Sequence, residues 1–269
     1  MIINGECLEE LQKLPDKSVD FFYLDLPWAE TYVKWDKKID LELLWKQLWR
    51  LSRHKRVAYV FSCSTKFGYS LIKSWEKGFK MDLIWKKRNK TGAAYCKYRP
   101  MKNHEMVYFF YHKAPKYNRN KYHFRIKKSN KKDGERKKYS RPTQNKSYTY
   151  NGKKFVKDDN FITGWREVDG KNFGRNSFEP PNPASIFESK KVFIGKRHHQ
   201  AEKPLDLMEF LLKYWTDEGD VVLDPTMGSG TMGVMCKQMN RKFIGIERDP
   251  DIFKIAEKRI EEQKVFKEI

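Results

Sequence analysis

Two periodicities alternate along the first 112 residues. Apolar Leu8, Leu11 and Leu14 recur at helical spacing and predict a helix over 7–14, closed by a turn at 15–18. The unbroken apolar run at 19–24 predicts a buried strand. Leu41, Leu44, Trp45 and Leu48 share one face of a helix over 39–52, and Phe67, Leu71 and Trp75 do the same over 65–77. Runs at 56–62 and 81–86 read as the intervening and following strands. Strands separated by amphipathic helices build a mostly parallel sheet. A further apolar strand at 105–111 has no period that sets its direction.

This pattern stops near Lys113. From 113 to 157 there are seventeen Lys and Arg against two acids, Asp133 and Glu135, and aromatics such as Tyr122, Tyr139, Tyr148 and Phe155 are interleaved. Aliphatic residues nearly vanish, so the segment cannot build a core of its own. Periodicity returns with Leu205, Met208, Leu211, Leu212 and Trp215, which predict a helix over 205–215 with Pro204 in its first turn. A strand at 221–224, a helix at 232–239, a strand at 242–247 and a helix at 250–264 complete the chain. The expected organisation is one α/β domain from 1–112 and 190–269, interrupted by an inserted region at 113–189. Trp45, Trp49, Trp75 and Trp215 lie on helical faces and are expected in the core.

Charge alters this picture. Lys plus Arg is 56 and Asp plus Glu is 35, a net +21. Such an excess implies a polyanionic partner, nucleic acid before an acidic membrane surface. Basic residues interleaved with aromatics suit phosphate contacts and base stacking, so the 113–157 segment is the expected contact. His198 and His199 read as loop residues or phosphate contacts. The four cysteines form no CxxC pair and suggest neither disulfides nor zinc. No stretch has the length of an apolar span, and the start of the chain has no secretory signal, so the protein is expected to be intracellular.

Candidate chemistry sits at two strand ends. Asp25-Leu26-Pro27-Trp28 follows the first buried strand. Asp224-Pro225-Thr226-Met227-Gly228-Ser229-Gly230-Thr231 follows the strand at 221–224, and the next strand ends at Glu247. Strand, glycine turn, helix and strand ending in an acid is the layout of a site for a nucleoside-containing cofactor, with Glu247 able to accept hydrogen bonds from ribose hydroxyls. Gly228 to Gly233 satisfies GxGxxG, which admits a nicotinamide or flavin cofactor. Asp224 argues against a dinucleotide, because an acid before the turn repels a pyrophosphate and suits a ligand carrying an amino group or a sulfonium.

With both motifs in this order, and a basic region between them, the chain resembles the amino-methylating DNA methyltransferases of β-type motif order. In that family a (Asp/Asn/Ser)-Pro-Pro-aromatic motif precedes the target-recognition region and Asp-Pro-Phe-x-Gly-x-Gly-Thr comes last. The approach through Asn4-Gly5-Glu6-Cys7 and the segment Glu202-Lys203-Pro204-Leu205 are also similar. The resemblance implies a Rossmann-like methyltransferase sheet flanked by helices, S-adenosylmethionine as cofactor, no metal, and double-stranded DNA as partner. It implies methyl transfer to adenine N6, which Asp at the first motif position favours, with cytosine N4 or a catalytically idle DNA-binding relative as alternatives.

Residue by residue, the resemblance gives Asp25 and the Leu26 carbonyl the two amine N–H groups, Pro27 the turn, and Trp28 the face of a base swung out of the duplex. Asp224, Pro225, Thr226, Gly228, Gly230, Thr231 and Glu247 hold the cofactor, and Lys203 and Pro204 border its pocket. Glu6 stands where the family usually has aspartate. Leu26 replaces the first proline and Thr226 the usual phenylalanine, which removes ring rigidity and an aromatic contact. A homodimer and a cytoplasmic location, in a bacterium or a phage-infected host cell, are compatible with this reading.

Overall fold

The computed structural model describes residues 1–30, 33, 36–122, 182–189 and 202–263, and five short strands between 124 and 179. Most of the basic segment at 113–157, and His198 and His199, lie outside the described residues. The chain divides into two units, Met1–Tyr117 with Ser185–Ile269, and Asn118–Ala184.

The larger unit begins with β1 (Ile2–Asn4), α1 (Cys7–Lys13), β2 (Phe21–Leu24), α2 (Leu41–Leu51), β3 (Ala58–Cys63), α3 (Thr65–Ser74), β4 (Phe79–Thr91) and β5 (Lys102–Phe110). The smaller unit holds α4 (Arg119–Tyr122), β6 (Phe124–Arg125), β7 (Ser147–Tyr150), β8 (Lys153–Lys157), β9 (Trp165–Glu167) and β10 (Phe178–Glu179). There β10 pairs with β6, and β7, β8 and β9 form an antiparallel meander. The larger unit resumes with β11 (Ile186–Glu188), α5 (Leu205–Trp215), β12 (Val221–Asp224), α6 (Thr231–Gln238), β13 (Lys242–Glu247) and α7 (Pro250–Glu261).

Its eight strands run in the order β1-β13-β12-β2-β3-β5-β4-β11. All neighbours are parallel except β5, which is antiparallel to β3 and to β4 and so settles the direction that its sequence leaves open. The reversal also places β5 between β3 and β4, although it follows both in the chain. β4 extends beyond the apolar run at 81–86 because it continues as a two-stranded ribbon with β5 to the pair Thr91↔Lys102. That ribbon is polar and exposed, so no hydrophobic pattern marks it. β1 and β11 are three-residue edge strands, too short to show a period, and β11 lies within the stretch assigned to the insertion.

Helix starts follow their caps. Asp40 accepts hydrogen bonds from the Glu42 and Leu43 N–H groups, both at 3.0 Å, so α2 begins at Leu41. Asp249 does the same for α7, with Pro250 at its first position. Pro204 stands at the N-cap position of α5, one residue before the first turn. Helix α3 stops at Ser74 because Trp75 leaves helical geometry.

The core on one face of the sheet centres on Trp45. Its ring lies 4.9 Å from Trp75, 5.4 Å from Phe110 and 5.6 Å from Tyr59, and its Nε1 donates to Ser74 Oγ at 2.9 Å. Trp49 departs from expectation: it is 42% exposed and covers Trp45 and Trp75 from outside, because its helical position places it at the rim of the stripe. Truncation of Trp45 to alanine is expected to destabilise the domain by about 3–5 kcal/mol, read from denaturant unfolding, with Trp49→Ala well below that.

Candidate active site

In a parallel sheet the carboxyl ends of neighbouring strands open on the same edge. β2 and β12 are such neighbours, paired at Val222↔Phe21 and Leu223↔Phe22. Asp25 and Asp224, which end or follow these strands, therefore face a common cleft. Thr226 stitches the two ends together: its Oγ1 donates to the Asp25 carbonyl at 3.1 Å, and its N–H donates to Asp224 Oδ1 at 3.1 Å. The residue that replaces the family's phenylalanine thus adds a polar tie between the two motifs.

The cleft measures about 1350 Å³, and every site residue expected from the sequence lines it except Gly230. Gly230 is left-handed (φ 78°), and a Cβ there would lie 3.0 Å from the Ala256 Cβ and 3.1 Å from the Ile260 Cδ1. It is the site of close α6–α7 packing. Gly228 is also left-handed (φ 53°), but a Cβ there meets nothing within 4 Å. Its N–H donates to Glu247 Oε2 at 3.0 Å, and Glu247 Oε1 accepts from the Asp249 N–H at 2.9 Å. Each oxygen keeps a lone pair for a ligand hydroxyl. The Glu247 carbonyl accepts from the Gly5 N–H at 3.0 Å and from Asn4 Nδ2 at 2.7 Å, which brings Glu6 to the rim. Glu6 itself caps α1 through the Leu8 and Glu9 N–H groups.

Leu26 has its side chain in the core, 2% exposed. Apolar burial anchors the motif at the position where a proline ring would stiffen it. After Trp28 the backbone is left-handed at Ala29 (φ 53°). Asp36 supports this bend by accepting the Ala29 and Glu30 N–H groups at 2.6 and 2.9 Å.

Lys203 lines the cleft, as expected, and also pairs with the first motif. Its Nζ lies 2.5 Å from Asp25 Oδ2, 3.7 Å from Glu105 Oε2 and 5.8 Å from the centroid of the Trp28 ring. Glu105 is also paired with Lys87. Burial pushes the Asp25 carboxyl above the ordinary aspartate range, with Lys203 pulling against it and the Glu105 charge adding to it. Burial pushes Asp224 up further, and Asp25 and Glu247 add to the rise. For Glu105 burial is outweighed by Lys203 and Lys87, which hold it below its usual value. Lys203 stays charged because Asp25 and Glu105 outweigh its desolvation.

Glu105, Lys87 and Asp36 are site residues that the motifs do not contain. The one sequence signal for Glu105 is an acid at the head of an apolar strand. Arg259 is a fourth: it donates to the Ser229 carbonyl at 2.6 Å and to Glu202 at 2.7 Å, and so fastens the glycine turn to the segment leading into α5. Among the described residues no group of three or more His, Cys, Asp and Glu is arranged to hold a metal.

The family model for the N6 and N4 methyltransferases, a DNA methylase family, matches residues 19–258. The chain belongs to this family. Its relatives in that family include the type II methyltransferase M.HinfI of Haemophilus influenzae, 26% identical over 98% of this chain and 68% of that protein. M2.LlaDCHI of Lactococcus lactis subsp. cremoris is 25% identical over 97% of this chain and 88% of that protein. The match to M2.DpnII of Streptococcus pneumoniae is 45% identical but spans only 27% of each chain. Solved structures with the same fold include the M1.HpyAVI–SAM complex, with TM-score 0.57, 24% identity, and coverage of 96% and 98%. The cytosine-N4-specific PvuII DNA methyltransferase has TM-score 0.60, 16% identity, and coverage of 96% and 85%.

Membership of this DNA methylase family indicates S-adenosylmethionine as the cofactor. The residues fit it. Asp224 is a buried carboxylate on the cleft wall, which a ligand bearing an ammonium stabilises in its charged form. Among the described residues no helix is long and apolar enough to cross a membrane.

Proposed function

We propose that this protein transfers the methyl group of S-adenosylmethionine to the exocyclic N6 of adenine in double-stranded DNA, with the target base flipped out of the stack. The observation that carries the reading is the Thr226 tie, which sets the backbone of Asp25 against the glycine turn of the cofactor loop. When bound, the cofactor supplies an electrophilic methyl group. The amine nitrogen would take that methyl group in exchange for one of its own protons, which would pass by way of Asp25 to solvent.

The chain's own residues prepare the nitrogen. An exocyclic amine is a poor nucleophile because its lone pair is conjugated into the ring. Asp25 and the Leu26 carbonyl accept its two N–H groups, favour a pyramidal nitrogen and stabilise the positive charge that develops. Trp28 stacks on the base. Asp224 takes the methionine ammonium, Glu247 takes the ribose hydroxyls, and Gly228 lets the backbone approach them.

The aspartate at the first motif position supports adenine. Cytosine N4 is the second reading, favoured by the fold shared with the cytosine-specific PvuII enzyme. Incubation of the protein with labelled cofactor and DNA, followed by sequencing that distinguishes N6-methyladenine from N4-methylcytosine, tests both. Label in cytosine alone excludes adenine, and no label excludes the reading.

For DNA contact the described residues offer the β4–β5 ribbon. From Lys86 to His104 it has seven Lys and Arg and no acid, and Lys87, Arg88, Asn89, Lys90 and Thr91 line the cleft. Tyr98 is 87% exposed near its tip. Replacing Arg88 and Lys90 by glutamine is expected to weaken DNA binding. The slope of log K against log salt should become shallower by about 0.9 for each phosphate that is no longer neutralised. An unchanged slope assigns the phosphates elsewhere. The reading takes DNA as partner in the cytoplasm of a bacterium or a phage-infected cell, and a homodimer as the assembly that sedimentation with and without DNA would test.

A further inference from the structure

The Lys203 ammonium stands where the proposed target base has to go. It is 2.5 Å from Oδ2 of Asp25, the carboxylate proposed to accept the amine, and 5.8 Å from the centroid of Trp28, the ring on which the base is proposed to stack. A base that engages Asp25 and Trp28 must displace it. Lys203 is only 9% exposed and cannot carry its charge into solvent without unpacking. Glu105 offers an oxygen that can receive it. Glu105 Oε2 is 3.7 Å from Nζ, buried, and without a hydrogen-bond partner, while the other Glu105 oxygen is fixed by Lys87.

We propose that Glu105 is a positioning residue for base capture. Its Oε2 is the second seat of the Lys203 ammonium, which leaves Asp25 and the face of Trp28 as the base enters and returns when the product base leaves. This rests on the methyl-transfer reading above. The move exchanges one carboxylate for another, so Lys203 keeps an anionic partner throughout, while Asp25 exchanges its cation for the N–H groups of the base. Lys87, on the ribbon strand that lines the cleft, keeps Glu105 aimed. No covalent bond changes, and no proton needs to move.

The charged groups facing Asp25 are Lys203, Glu105 and Lys87, and Asp224 stands across the cleft. Glu105 faces Lys203, Lys87 and Lys102. Glu105→Gln keeps the shape and the contact with Lys87 but removes the charge that receives Lys203. In that variant kcat is expected to fall about tenfold, with the KM for S-adenosylmethionine unchanged. The acidic limb of kcat is expected to move to lower pH, because the Glu105 charge no longer raises Asp25 and Lys203 holds it more firmly. Glu105→Asp, which retains the charge, is expected to recover part of the rate.

The decisive comparison uses Lys203→Met. With no ammonium to relocate, adding Glu105→Gln to Lys203→Met should change kcat by less than about twofold. Equal losses from Glu105→Gln in both backgrounds overturn the inference, and so does wild-type turnover by Glu105→Gln itself. If Glu105→Gln is unstable in thermal unfolding, Glu105→Asp decides: a loss of kcat in the wild-type background that disappears in Lys203→Met supports the inference, and equal losses in both overturn it. Absence of methyl transfer by the unaltered protein sinks the underlying reading as well, which separates the two failures.

Discussion

Asp25→Ala is expected to lower kcat for methyl transfer by about 10²- to 10⁴-fold. The size follows from what the side chain alone supplies. In the proposed mechanism the Leu26 carbonyl still takes one amine N–H, and Thr226 still holds the backbone of the motif through the residue-25 carbonyl. What is lost is the carboxylate proposed to face the reacting nitrogen, in a cleft where charge is weakly screened. The fold is expected to survive, because Lys203 retains Glu105 as a partner.

The pH profile gives a second signature of the same group. Asp25 must be ionised to accept, and burial raises its pKa, so wild-type kcat should climb with pH along a limb above the ordinary aspartate value of about 3.9. The alanine variant's residual rate should lack that limb. Methyl transfer by Asp25→Ala at the wild-type rate would remove Asp25 from the mechanism.

Glu247→Ala should act on binding rather than chemistry. The carboxylate fixes two backbone N–H groups, those of Gly228 and Asp249, besides its proposed ribose contacts. Hydrogen bonds to a charged group contribute about 1.5–3 kcal/mol each. The Kd for S-adenosylmethionine is therefore expected to rise about 10- to 100-fold, with a lowered melting temperature from the two orphaned donors. Calorimetric titration with the cofactor reads the first effect and thermal unfolding the second. Unchanged affinity would reassign the ribose hydroxyls to another residue.

Elements whose boundaries are set locally were legible in the sequence. Helix α5 and strand β13 have the bounds that their apolar stripes predict. What depends on distant partners was not legible. β1 and β11 exist because β13 and β4 offer them an edge, and no three-residue stretch announces that. Thr226 reads in sequence as a missing aromatic, whereas its hydroxyl finds the Asp25 carbonyl only once β2 and β12 are adjacent. Lys203 reads as a neighbour of the cofactor pocket, and its pairing with Asp25 and Glu105 needs three segments brought together from separate parts of the chain. The missing information was in each case a tertiary neighbour rather than a propensity.

The adjacency of β2 and β12 also has a temporal side. The Thr226 hydroxyl and the carbonyl it grips are 201 residues apart in the chain. A ribosome makes roughly 5–20 residues per second, so β2 waits on the order of ten seconds or more for its central neighbour. During that wait the edge that β12 later covers stays unpaired, because β3 pairs with the opposite edge. The proposed catalytic motif is therefore made long before the strand that completes its cleft.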